Sequence, residues 1–140
     1  MIVRSQLGEI YYSTSNDRGE SWSPAKPWGI RSPESPATLR RVPATGDLLL
    51  VWNPVYDAGA SHGGKRTPLV AAVSTNEGQT WSTPRTLEDR KDRQYAYTSL
   101  TFLGNRVLLS YYVEDGSTGH ISTRFRSLPL SWFYEPTSKN

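Results

Sequence analysis

The chain has 140 residues, with sixteen Lys and Arg against thirteen Asp and Glu for a net charge of +3, and no cysteine. That length sets one domain with room for a hydrophobic core, and the lack of cysteine excludes disulfides, thiolate metal sites and a cysteine nucleophile. The small basic excess is scattered, with no run dense enough for a nucleic-acid arm, and it suits an anionic small ligand.

No window of ten or more residues places apolar side chains at helical spacing, so the expected class is all-β. In chain order, strands are expected at 9–14, 37–42, 47–52, 68–74, 98–103, 106–113 and 120–126, each bounded by Gly, Pro, Asn or Asp. The pair 37–42 and 47–52, joined through Gly46-Asp47, echoes 98–103 and 106–111, joined through Gly104-Asn105. Each pair reads as a hairpin of two inner strands. No apolar stretch approaches the ~20 residues of a membrane span, and Met1-Ile2-Val3-Arg4-Ser5 does not read as a signal peptide. The expectation is a soluble chain without a membrane partner.

One eight-residue turn occurs twice, as Ser15-Asn16-Asp17-Arg18-Gly19-Glu20-Ser21-Trp22 and Ser74-Thr75-Asn76-Glu77-Gly78-Gln79-Thr80-Trp81, displaced by 59 positions. Each copy follows a β-rich run and precedes Ser-Pro or Ser-Thr-Pro. Asp or Asn accepts hydrogen bonds from nearby backbone N–H groups, while Gly supplies a positive φ. A hairpin corner repeated at this distance predicts a β-propeller, with four strands to each repeat. The blade parts fall at about 1–28, 29–89 and 90–135, or about two and a half four-stranded blades. A closed ring takes typically 4–8 blades, so the chain is expected to be a piece of a longer protein or to assemble as a homo-oligomer that completes the ring. A small β-sandwich carrying the same turn is the alternative architecture.

The repeated turn resembles the Asp box, Ser-x-Asp-x-Gly-x-Thr-Trp, of the sialidase (neuraminidase) superfamily of six-bladed propellers. The first copy keeps Asp17 with Ser21 in the Thr position, and the second keeps Thr80 and Trp81 with Asn76 in the Asp position. The resemblance implies a structural role for these residues, on the face away from the active site. Two further segments are similar to sialidase sequences. Glu34, leading into Ser35-Pro36-Ala37-Thr38-Leu39, falls where the family's catalytic Glu stands, and Tyr97, in Ala96-Tyr97-Thr98-Ser99-Leu100-Thr101-Phe102-Leu103, falls where its nucleophilic Tyr stands.

The pairing has a chemical logic of its own. A phenol with a reference pKa near ~10 needs a base within hydrogen-bond reach, and a neutral nucleophile approaches an anionic sugar better than a carboxylate does. Tyr95, two residues away and expected on the same strand face, is the alternative phenol. The 53–67 loop is expected to open on the same face, bringing His62, Lys65 and Arg66 to the rim as substrate-binding candidates. The resemblance also implies an arginine triad for the substrate carboxylate, because a guanidinium pairs bidentately with that group. Asn53 stands where one such arginine belongs, either Arg66 or Lys65 offers a substitute that the pattern does not assign, and Arg93 lies with Arg90 in the short connection before Tyr97. The resemblance places the family's acid/base Asp and first Arg on N-terminal blades, which are expected to lie outside these residues. No metal or other cofactor is expected, since the two histidines have no acidic cluster beside them. The resulting expectation is a sialidase-type glycoside hydrolase or a divergent hydrolase; the alternative is a propeller module that binds carbohydrate or protein without turnover.

Overall fold

The computed structural model describes residues 1–135, which form three antiparallel sheets and no α-helix. The first sheet joins β1 (Ile2–Val3), β2 (Glu9–Tyr12) and β3 (Lys26–Arg31). The second joins β4 (Thr38–Arg41), β5 (Leu48–Trp52), β6 (Leu69–Ser74) and β7 (Arg85–Glu88) in chain order. The third joins β8 (Arg93–Leu103), β9 (Arg106–Asp115) and β10 (Ile121–Pro129), followed by a 3-10 turn at Leu130–Phe133.

The middle sheet is covered on both faces, which is why β5 and β6 read as unbroken apolar runs. Leu49, Val51, Leu69, Ala71 and Val73 pack with Tyr95, Leu100, Leu109, Tyr111 and Val113 of the third sheet. Leu50, Trp52, Val70 and Ala72 pack with Ile10, Trp28 and Ile30 of the first. The third sheet alternates instead: along β9 Val107, Leu109, Tyr111 and Val113 are buried while Leu108, Ser110, Tyr112 and Glu114 are only partly so. A strand with one covered face keeps its apolar residues at period two. Glu88 joins β7 to the third sheet by accepting hydrogen bonds from the Tyr111 hydroxyl at 2.6 Å and from Arg124 at 2.7 Å.

The sequence reading differs from this architecture in the outer strands. β1, β3 and β7 are absent from it because β1 and β7 are short and Pro27 and Gly29 interrupt β3, which is tolerated at an edge. The first sheet therefore runs to Arg31, three residues past its expected end. β8 begins at Arg93 rather than at residue 98, placing Tyr97 inside a strand and not on the approach to one.

The strand directions separate the molecule into two ends. β6 runs from Leu69, beside the 53–67 loop, to Ser74, where the second repeated turn begins. Glu34 in the β3–β4 connection and the 53–67 loop therefore stand at the end opposite that turn. No helix among the described residues is long and apolar enough to cross a membrane.

Candidate functional site

Tyr97 is displayed by a defect in its strand. Ala96 pairs with Tyr112 and Ser99 with Ser110, so Tyr97 and Thr98 together oppose Tyr111. That extra residue is a β-bulge, and Tyr97 takes the left-handed conformation there with φ of 54°. A bulky residue at positive φ is strained by about 1 kcal/mol or more, and such strain collects at functional sites. The bulge also overturns the expectation that Tyr95 and Tyr97 share a strand face. Tyr95 is fully buried against Tyr111, whereas Tyr97 is 57% exposed.

Arg66 fixes the other side of the phenol. Its guanidinium lies 5.4 Å from the centre of the Tyr97 ring, donates to the Tyr112 hydroxyl at 3.0 Å and donates to the Glu34 carbonyl at 3.2 Å. Its backbone is locked to β8, donating to Gln94 Oε1 and accepting from the Tyr95 N–H. Tyr112 tilts over Tyr97 at a centroid distance of 5.3 Å. Arg4, in the β1–β2 connection, and Arg66 hold the Tyr97 pKa below the ordinary phenol value through their positive charge and hydrogen-bonding capacity. Positive charge favours the phenolate, which is the nucleophilic form.

Glu34 is held just as tightly. Its Oε2 accepts hydrogen bonds from His62 Nδ1 and from Gln6 Nε2, both at 2.9 Å, and its own N–H donates to the His62 carbonyl at 2.8 Å. The His62 and Gln6 hydrogen bonds, with a smaller contribution from the charge of Arg4, hold the carboxyl below its usual range. Its side chain is only 18% exposed. The structure thus gathers Glu34, His62, Arg66 and Tyr97 at one end of the molecule, together with Arg4, Gln6 and Tyr112, which sequence reasoning missed. Beside them a cavity of about 390 Å³ is lined by His62, Lys65, Arg66, Gln94, Tyr112 and Glu114.

The remaining candidates sit elsewhere. Asn53 is buried and its amide is fully engaged: Oδ1 accepts from the Ser35 hydroxyl at 2.6 Å, and Nδ2 donates to the carbonyls of Pro68 and Tyr95. It cross-links the segments that carry Glu34, Arg66 and Tyr97 from beneath. Arg93 pairs with Asp115 at 3.5 Å and lines a separate pocket with His120 and Ser122. A larger groove, about 780 Å³, lies at the other end, between the first and second sheets and against both repeated turns. Among the described residues no three His, Asp or Glu side chains gather as metal ligands do.

No curated protein matches the chain. Residues 1–109 match the family model of the BNR repeat-like domain, so the match takes in both turns, Glu34, Arg66 and Tyr97, and the chain belongs to that family.

Proposed function

We propose that this chain carries part of the active face of a sialidase-type glycoside hydrolase, with its three sheets serving as about two and a half blades of a β-propeller. The observation that carries the reading is the display of Tyr97 on a strained bulge against Arg66, whose guanidinium also holds the Glu34 main chain, with Glu34 kept as a carboxylate. In the reaction Glu34 takes the phenol proton, the phenolate oxygen bonds to the anomeric carbon, and the glycosidic C–O bond breaks. The departing oxygen takes a proton from an acid outside this pair. Water then attacks the tyrosyl glycoside and gives up a proton to the conjugate base of that same acid, while Glu34 returns its proton to the leaving phenolate. Arg4 and Arg66 favour an anionic sugar, since each offers a charged, forked donor beside the nucleophile.

The blade reading is supported by the middle sheet being covered on both faces while Ile121 and Phe125 of the third sheet stay exposed. Exposed apolar faces of that kind call for further blades, and copies of the chain in a homo-oligomer would supply them. Light scattering is expected to give a dimer or higher assembly; a monomer at every concentration overturns ring completion by copies.

Turnover of a fluorogenic sialoside, with aryl esters and other glycosides run alongside, tests the chemistry. Tyr97→Phe and Glu34→Gln are each expected to lose about 100-fold or more in kcat/KM. Equal rates in the three proteins sink the mechanism. A second reading, a module that binds anionic carbohydrate without turnover, is favoured by one observation: the Glu34 hydrogen bonds run to Gln6 and His62 and not to the Tyr97 hydroxyl. On that reading sialoside binding persists in Tyr97→Phe and is lost in Arg66→Ala.

A further inference from the structure

Glu34 sits in a clamp whose two jaws come from different loops and close on one oxygen. Gln6 belongs to the β1–β2 connection and His62 to the 53–67 loop, and both engage Oε2, leaving Oε1 clear of their hydrogen bonds. What spaces the jaws is the Tyr56 ring. One edge of it rests on Gly8, where an added Cβ would come within 2.7 Å, and the opposite edge rests on Gly63, where a Cβ would also come within 2.7 Å. Both glycines have positive φ, so the two loops approach the ring more closely than any other residue permits. His62 is itself left-handed, with φ of 54°, and its carbonyl accepts the Glu34 N–H. The strain of that conformation brings main chain and imidazole onto the same residue.

We infer that His62 and Gln6 are positioning residues that keep Glu34 ionised and present its free oxygen to the reacting phenol. This rests on Tyr97 and Glu34 as the reacting pair. With a proton on Nδ1 the imidazole donates to Oε2, and two donors to one carboxylate oxygen favour the charged form. The other charged or titratable groups at the clamp are Arg4 from the β1–β2 connection, Tyr56, Asp57, Lys65 and Arg66 from the loop, and Tyr112 and Glu114 from β9. Because His62 lies on the lip of the cavity and is 65% exposed, a ligand that displaces it would unclamp Glu34 as it binds.

The sign of the effect follows from what lowers the Glu34 pKa. Removing a donor to its carboxylate raises that pKa, so the base form, and with it the acidic limb of kcat/KM, moves to higher pH. The test is a carbon NMR titration of Glu34 in chain labelled at Glu, with the signal assigned by Glu34→Gln. His62→Ala is expected to raise the Glu34 midpoint by about one pH unit, and Gln6→Ala to raise it less. His62→Asn, whose side-chain amide takes the place of Nδ1 without titrating, is expected to restore most of the shift. A midpoint unchanged in His62→Ala or, should that variant fail to fold, in Gln6→Ala overturns the inference. The same holds if His62→Asn behaves like His62→Ala. A midpoint that moves as expected in a chain that turns over no sialoside keeps the clamp and removes the hydrolase reading.

Discussion

The two copies of the repeated turn share one set of internal hydrogen bonds and differ in what lies against them. In each, the leading Ser hydroxyl accepts from the Gly N–H at 2.8 Å, and the Asp or Asn Oδ1 accepts from the N–H four residues on at 2.9 Å. The residue before the Gly, Arg18 or Glu77, is left-handed in both. The surroundings part company at the indole. Trp28, from the neighbouring first sheet, sits directly on Gly78, and Trp81 packs edge-on against Trp28 at 5.5 Å. In the first copy no such neighbour is present among the described residues: Trp22 folds back over its own Gly19, donates to the Gly19 carbonyl at 3.1 Å and stays 46% exposed. The turn's backbone is thus self-sufficient, while its tryptophan is built to meet an adjoining sheet.

The largest effect expected from this contrast is at the glycines. A Cβ on Gly78 would stand 2.5 Å from the Trp28 ring, and one on Gly19 would stand 3.6 Å from the Trp22 ring, an ordinary contact, although both residues have positive φ. Gly78→Ala should therefore cost about 3 kcal/mol, the left-handed penalty plus the clash, against about 1 kcal/mol for Gly19→Ala. Urea unfolding measures the difference, and equal losses would break the account of Gly78 as the seat of an indole. Next comes the tryptophan pair. Trp81→Ala removes a packed ring and its edge-on contact, for about 2–3 kcal/mol, whereas Trp22→Ala should cost under about 1 kcal/mol. If the exposed Trp22 face is covered by another copy in solution, the two tryptophans become equivalent, and Trp22→Ala lowers the assembled mass measured by light scattering.

What the sequence displayed of all this follows from where the signals are local. The turns were legible because Ser, Asp or Asn, and Gly satisfy one another within eight residues, and β5 and β6 because a strand covered on both faces is apolar throughout. Glu34 and Tyr97 were legible only through resemblance. The bulge that turns Tyr97 outward has no Gly or Pro to announce it; it arises from the pairing of Ala96 and Ser99 with partners on β9 that are only two residues apart. Arg4 and Gln6 lie in a five-residue connection without a motif, and their place beside Tyr97 and Glu34 depends on how the first sheet packs on the second. Asn53 read as a substitute for a binding arginine because its chain position is at a strand end facing the site. Its burial beneath that site, bonded to three separate segments, is a tertiary fact that spacing does not carry.

The smallest effect separates the copies by charge. Asp17 accepts from the hydroxyl and N–H of Ser21 and from the Ser15 hydroxyl, and these bonds depress its pKa strongly. Asn76 holds the same geometry with a neutral amide, donating to the Thr80 hydroxyl at 2.8 Å. A carboxyl whose folded pKa lies below its unfolded one contributes fully above the unfolded value of ~3.9 and loses that contribution as pH falls through the folded one. Protonation of Asp17 turns an acceptor of several hydrogen bonds into a group that must also donate, so strongly acid solution should open the first turn ahead of the second. Amide exchange at Ser21 and Thr80 reports each turn separately. Ser21 should lose protection with acid, after allowance for the intrinsic pH dependence of exchange, while Thr80 does not. Asp17→Asn should abolish that difference with little loss of stability near neutrality, since Asn76 already holds the same geometry in the second turn. Exchange at Ser21 that stays acid-sensitive in Asp17→Asn would show that the difference between the turns comes from the neighbouring sheet and not from the carboxylate.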